Sequence, residues 1–306
     1  MVEFIIYILL FCFSKVLCSY STPRNFVESI KFPGSYTVMP ILGNKMLDFP
    51  FHFSRLLDGL TVVTKDDPVK WTDQILLKDI TLEEINNSAG NRDDPAAIVT
   101  IAMYKNSEGI NVKSFYSSID QEIFTSSINS KFLTVNTYDF IRTNPQVKDI
   151  NWPIERKFVE AKNINQDVDE TILVKNCEYF TEGLVSNFFV INENYQIQTC
   201  PDNLVLSGSM AKLVKAVVHD LGYDVFESPP KIEDLPKYKA AFLCSSCKPI
   251  ILVSSLYDLN GNLHVLPNDP ESLHIINKLK NALCSFFSLA IQNKHKNQYG
   301  SGWKAL

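Results

Sequence analysis

The 306-residue chain has little glycine (11) and little histidine (5), and neither sign of charge dominates it. Its 29 lysines and arginines against 34 acids leave a formal charge of −5, so it offers no basic footprint for nucleic acid. No G-x-G-x-x-G and no G-x-x-x-x-G-K-[ST] occurs, which excludes the usual dinucleotide and P-loop fingerprints. Long apolar runs are also absent, apart from the uncharged stretch Phe4–Ser14 that Lys15 ends. A spanning helix needs about 20 residues, so this run is too short. It has the length of a signal-peptide core, and the small residues after it suit cleavage near Cys18. Residues 1–19 therefore read as a signal peptide, leading to the secretory pathway or an organelle reached through it. The alternative is a buried N-terminal strand or helix in a cytoplasmic protein. No stable membrane span is expected once the signal is removed.

Seven cysteines are present, and two of them, Cys12 and Cys18, fall in that first segment. The other five are odd in number and widely spaced, which is not a disulfide framework. Cys244-Ser-Ser-Cys247 has no second pair at zinc spacing, so no metal site is expected.

What the chain does have is aromatic mass: 20 Phe and 12 Tyr within a 45% hydrophobic composition, enough for a large core. The patterning predicts a strand over Gly34–Leu42, a helix from Phe51 to Leu60 and a hairpin from Ile98 to Tyr116. Thr81-Leu-Glu-Glu84 has the form of a capping box opening a second helix. Residues 120–147 are polar and irregular and are expected to hold the domain boundary. Strands follow over 170–175, 184–192 and 195–199. The apolar i, i+3, i+4 series from Met210 to Leu221 predicts a helix, preceded by Gly208 and stopped by Gly222. Further strands are expected near 240–244 and 250–254, and a last helix over 270–294. Irregular alternation with many hairpins favours an α+β fold over a doubly wound sheet.

Several residues could carry chemistry. Glu182 stands beside Gly183 before an apolar strand. It is either an exposed turn residue or a buried carboxylate that must meet a cation or donor. Gly208 before an amphipathic helix leaves free N–H groups suited to an anion, though such termini usually bind nothing. Ser245-Ser246 could face the same anion or form a plain turn. His52 and Arg55 share a helix face, and Arg55 suits phosphate or carboxylate if it is not merely solvated.

Taken together, these segments resemble the class IV aminotransferases, the fold-type IV pyridoxal-phosphate enzymes that include branched-chain and D-amino-acid aminotransferases and aminodeoxychorismate lyase. Thr181-Glu-Gly-Leu-Val-Ser-Asn-Phe-Phe-Val190 resembles the family's E-G-x-x-x-N-[IF]-F-x-V stretch. Gly34-Ser-Tyr-Thr37 and His52-Phe-Ser-Arg-Leu56 resemble its first strand and H-x-x-R-L helix. Leu206-Ser-Gly208 and Phe242-Leu-Cys-Ser-Ser246 resemble its two phosphate-loop motifs, and Arg142-x-Asn-x-x-x-Lys148-x-x-Asn-Trp152 a plant-type subgroup pattern.

The resemblance implies a two-domain α+β fold, with a small α/β domain over 33–140 and a larger β-barrel-like domain over 146–306. It implies pyridoxal 5′-phosphate as cofactor and a Lys148 Schiff base. Glu182 would face the pyridine nitrogen, with Asn187 supporting its strand. Arg55, Ser209, Met210 and Ser246 would hold the phosphate. It further implies a homodimer transferring an amino group between an amino acid and a 2-oxo acid. A lyase of the same family, a degenerate scaffold that has lost catalysis, or a secreted binding module without cofactor are the alternatives. Pro153 replaces a family Tyr, and Ser209-Met210-Ala211 replaces I-T-R.

Overall fold

A computed structural model of the chain describes residues 20–43, 45–127, 131–162 and 167–292. The signal-peptide reading of residues 1–19 lies outside the described residues.

Two sheets organise the fold. The first contains β1 (Gly34–Leu42), β2 (Lys45–Met46), β3 (Ala96–Asn106) and β4 (Gly109–Ser118), in the order β2-β1-β3-β4. β3 is buried along nine consecutive positions because both faces are covered. Helix α1 (Pro23–Ser29) packs Phe26 and Val27 on one side, against Tyr36, Ala102 and Tyr104. Helices α2 (Phe49–Thr64) and α3 (Trp71–Ala89) pack Leu56, Leu60, Leu77 and Ile85 on the other, against Met39, Val99 and Ile101. The expected capping box is instead mid-helix. Thr81 is fully buried inside α3, and its hydroxyl donates back to the Leu77 carbonyl at 2.6 Å. The apolar neighbours Leu77 and Ile85 outweigh the local cue.

The second sheet has nine strands. It holds β5 (Leu133–Asp139), β6 (Glu170–Lys175), β7 (Tyr179–Gly183), β8 (Asn187–Ile191), β9 (Ile197–Thr199), β10 (Val225–Glu227), β11 (Ala240–Ser245), β12 (Lys248–Tyr257) and β13 (Leu263–Val265). Short helix α4 (Glu122–Thr125) precedes it in the chain, and α5 (Trp152–Ala161) lies between β5 and β6. α6 (Ser209–Asp220) and α7 (Pro270–Gln292) complete the fold. Strands β8-β11-β12-β5-β6-β7 follow one another in pairing order, and β7 pairs back to β8. The ring is thus a closed six-stranded barrel, and its closing pair is Glu182 opposite Asn187. Phe180, Phe188, Val190, Leu243 and Val253 fill one core of this sheet. α6 and α7 cover another through Val214, Val218, Ile276 and Phe287.

The stretch expected to be irregular and to contain the boundary holds β5. That strand pairs in parallel with both β12 and β6, so a unit running to 140 would cut it from its sheet. Its alternating apolar positions are few, and its stability comes from partners more than a hundred residues away on one side. Likewise Tyr179–Gly183 is a strand of its own, so Glu182 sits inside a strand rather than before one.

Candidate active site

The segment Lys148–Ile150 joins the two sheets. The Lys148 carbonyl accepts from Tyr36 N at 2.8 Å, Ile150 N donates to the Gly34 carbonyl at 3.1 Å, and Asp149 bridges Ser35. This backbone pairing fixes the Lys148 side chain at the seam, its Nζ 5.0 Å from the Tyr36 ring centroid. Among the described residues no carboxylate lies within ion-pair distance of it. Burial, then Arg55, Arg142 and Arg156, hold its amine down at about 7. A lysine so placed is substantially uncharged at neutral pH and can attack a carbonyl.

Glu182 is 4% exposed, which decides between the two sequence readings in favour of a buried, partnered carboxylate. Its Oε1 accepts from Arg142 Nη1 at 2.6 Å, and its Oε2 from Leu206 N at 3.1 Å. Burial raises its pKa, opposed by Arg142, the Leu206 amide and Lys148. Arg142 also donates to the Val147 carbonyl at 2.9 Å and lies 4.4 Å from the Trp152 ring centroid. It thereby ties Glu182 to the residue next to Lys148. The sequence showed Arg142 only as part of a motif, and its partner forty residues away was not legible.

The remaining residues converge on the loop Leu206–Ser209. Asn187 Nδ2 donates to the Leu206 carbonyl at 2.8 Å, and its Oδ1 lies 2.2 Å from where a Cβ on Gly208 would stand. Asn187 therefore pins this loop, beyond its pairing with Glu182. Arg55 reaches the Ser207 carbonyl at 3.4 Å and the Thr37 hydroxyl, but its Nε has no hydrogen-bond partner. It is buried with no carboxylate in ion-pair range among the described residues, and burial lowers its pKa to about 10. His52 Nδ1 bonds Thr37 Oγ1 at 2.7 Å, and burial then Arg55 and Lys148 keep the ring neutral. α6 begins at Ser209 with Gly208 as an N-cap that offers no side chain, so no cap side chain bonds the first-turn N–H groups of Ser209 and Met210. The Met210 side chain is core, and only its backbone serves the site. Ser209 Oγ and Ser246 Oγ are 3.4 Å apart.

Lys148 and Ser246 line a cavity of about 900 Å³, together with Tyr36, Pro153, Arg156, Glu170 and Cys247. Arg55, Glu182, Asn187, Ser209 and Met210 are not part of this lining. Cys244 lies in β11 and Cys247 in the turn to β12, both are free thiols, and burial raises both pKa values.

An unpaired buried guanidinium, an uncapped helix terminus and two serine hydroxyls fit a phosphate monoester. A neutral amine beside them fits an aldehyde, and a buried carboxylate fits a ring N–H. The family profile of class IV aminotransferases matches residues 34–256, most of the chain. The chain belongs to the class IV aminotransferase family. With that family comes pyridoxal 5′-phosphate as the cofactor, and the residues fit it.

Solved structures agree on the fold. A hypothetical aminotransferase from Mycobacterium tuberculosis, in its PLP-bound form, is 15% identical with a TM-score of 0.64, covering 84% of this chain and 91% of that one. A branched-chain aminotransferase from Thermoproteus uzoniensis with norvaline is 18% identical with a TM-score of 0.62, covering 83% and 86%. A putative 4-amino-4-deoxychorismate lyase from Legionella pneumophila is 17% identical with a TM-score of 0.61, covering 86% and 94%. No curated protein matches the chain in sequence. No described helix is long and apolar enough to cross a membrane, and the described residues contain no cluster fit to hold a metal.

Proposed function

We propose that the protein is a transaminase, moving an amino group between an amino acid and a 2-oxo acid with Lys148 as its catalytic base and covalent anchor. The observation that supports this most is the Lys148 amine itself: held down at about 7, with no carboxylate in ion-pair range among the described residues, and set in the lining of a cavity beside the Glu182–Arg142 pair. Bound pyridoxal phosphate would supply an electron-accepting ring for the substrate's Cα carbanion. Arg55, the Ser209 and Met210 amides and Ser246 would hold its phosphate, and Asn187 would keep their loop in place. Glu182 would hold a proton at the pyridine nitrogen. Lys148, once free, would take the substrate Cα proton and return it. The neutral His52 would leave Arg55's charge for the phosphate.

The test is to add pyridoxal phosphate to the protein and to Lys148→Ala, remove the excess and record visible spectra. A bound-cofactor band present in the first and lost in the second is expected. A band of equal strength in both would move the covalent role to another lysine. The lyase neighbour supports a second reading, in which the same residues release pyruvate from a chorismate-derived amine without an amino acceptor. Pyruvate formed in the absence of any 2-oxo acid would favour it. The protein would act as a homodimer, which light scattering would check. Residues 1–19 would direct it to the secretory pathway, which N-terminal sequencing of the native protein would check.

A further inference from the structure

The wall of the cavity carries charge that the roles above leave unused. Arg156, on α5, lines the cavity together with Lys148, and only 8% of it is exposed. Its Nε lies 3.1 Å from Glu160 Oε1, off the hydrogen-bonding direction, so it forms an ion pair there and no hydrogen bond. Glu160 is already taken. Arg24 of α1 grips both its oxygens, at 3.1 and 2.8 Å, and turns its Nε to Glu28 at 2.8 Å. Lys157 holds the other oxygen of Glu28 at 2.7 Å. Three cations, Arg24, Arg156 and Lys157, thus share two carboxylates, Glu28 and Glu160. One positive charge is left over. Among the described residues, Arg24 and Lys157 each have a carboxylate at hydrogen-bond distance, whereas Arg156 has only the shared one, so the surplus resides on Arg156.

That surplus points at the reacting centre. Arg156 is one of the cations that depress Lys148, and it also acts on Tyr36 and on the buried Glu170 across the cavity. Glu170 offsets it only in part, and the two form no ion pair. Burial lifts this carboxyl to about 7, and its oxygens are taken up by Leu184 N at 3.1 Å and Ser186 Oγ at 3.4 Å. A buried guanidinium with half a counter-ion is a costly arrangement that a second carboxylate would complete. The same lining also offers apolar surface at Val27, Val38, Leu133 and Val185.

We propose that Arg156 is the substrate-binding residue that receives the carboxylate of the amino acid or 2-oxo acid, with the substrate's side chain against the apolar wall. This rests on the transaminase reading. It requires the reacting carbon to lie within reach of both Arg156 and the Lys148 amine, which line the same cavity.

The cofactor-loaded protein would be titrated with 3-phenylpropionate, an unreactive carboxylate with an apolar tail, and with 3-phenylpropanol as its uncharged counterpart. Binding would be followed by calorimetry and by the pH dependence of the visible band. Saturable binding of the acid alone is expected, with an upward shift in the apparent pKa seen in the band as Arg156 is neutralised. Arg156→Gln should weaken acid binding at least tenfold and leave the bound cofactor unchanged, and Arg156→Lys should restore part of it. Glu160→Gln separates binding from a structural role. If Arg156 serves only to hold Glu160, this variant will lose as much affinity as Arg156→Gln. If Arg156 binds substrate, it will keep or gain affinity. Undiminished acid binding in Arg156→Gln would overturn the proposal, as would equal loss in Glu160→Gln. Absence of a cofactor band in the unaltered protein would instead defeat the transaminase reading, and the calorimetric titration would still decide whether Arg156 binds carboxylates.

Discussion

Lys148→Met should make the cofactor-free protein more stable at neutral and acid pH. Lysine in the unfolded chain titrates near 10.5, and in the folded protein burial and three guanidinium groups bring this one to about 7. Between those values the unfolded chain binds the extra proton, so stability of the unaltered protein rises with pH there. Below about 7 the full penalty is present, and above about 10.5 it is gone. A shift of this size corresponds to a ceiling of about 5 kcal/mol. Lys148 keeps part of its surface exposed in a wide cavity, which brings the expected gain for Met down to about 2 kcal/mol. Urea denaturation of both apoproteins at about pH 6 and about pH 10 measures it, with the gain present at the lower pH and nearly absent at the higher. The cofactor must be left out, because its attachment would stabilise only the lysine form. Equal stability at the lower pH, or a difference that does not change with pH, would refute the claim that folding holds this amine neutral.

Three further outcomes follow from the same geometry. Glu182→Gln leaves Arg142 buried without its counter-ion and should cost about 3–5 kcal/mol in denaturant titrations, besides abolishing turnover. Gly208→Ala would set a Cβ 2.2 Å from Asn187 Oδ1, so it should cost about 1–3 kcal/mol and loosen cofactor retention. Adding Asn187→Ala should recover part of that packing cost, and a double-mutant cycle would show the coupling. Arg55→Ala should lower retention of pyridoxal phosphate by about two orders of magnitude, the worth of a charge-assisted contact. Binding of pyridoxal, which has no phosphate, should change far less, and equilibrium dialysis of both ligands would show the contrast.

Much of the site was legible in short motifs because local geometry dictates them. Gly208 followed by the apolar series from Met210 predicts a helix terminus, and the helix begins at Ser209. His52 and Arg55 are three apart on a helix, so they share a face, and packing on β1 brings both to Thr37. The β3–β4 hairpin was legible for the same reason, since its turn lies between neighbouring β-branched and aromatic runs. Thr81 misled because a capping box is a short-range signal, and the helix already running through it is held by apolar contacts at Leu77 and Ile85.

The sequence by itself determined the longer helices and the β1, β3–β4 and β11–β12 strands, the absence of nucleotide-binding fingerprints, and the residue types a phosphate and an aldehyde require. Only the tertiary structure decided their states. Glu182 could have been an exposed turn residue until closure of the barrel set it against Asn187 and under Arg142. β5 was invisible because its stability comes from parallel partners far along the chain. Lys148 reads as an ordinary surface lysine until three arginines from separate segments crowd it inside a cavity. Arg156 drew no reading from the sequence, and its charge is exposed as surplus only where Arg24 claims its counter-ion. Charge balance and burial are sums over neighbours in space, and short-range sequence patterns do not report them.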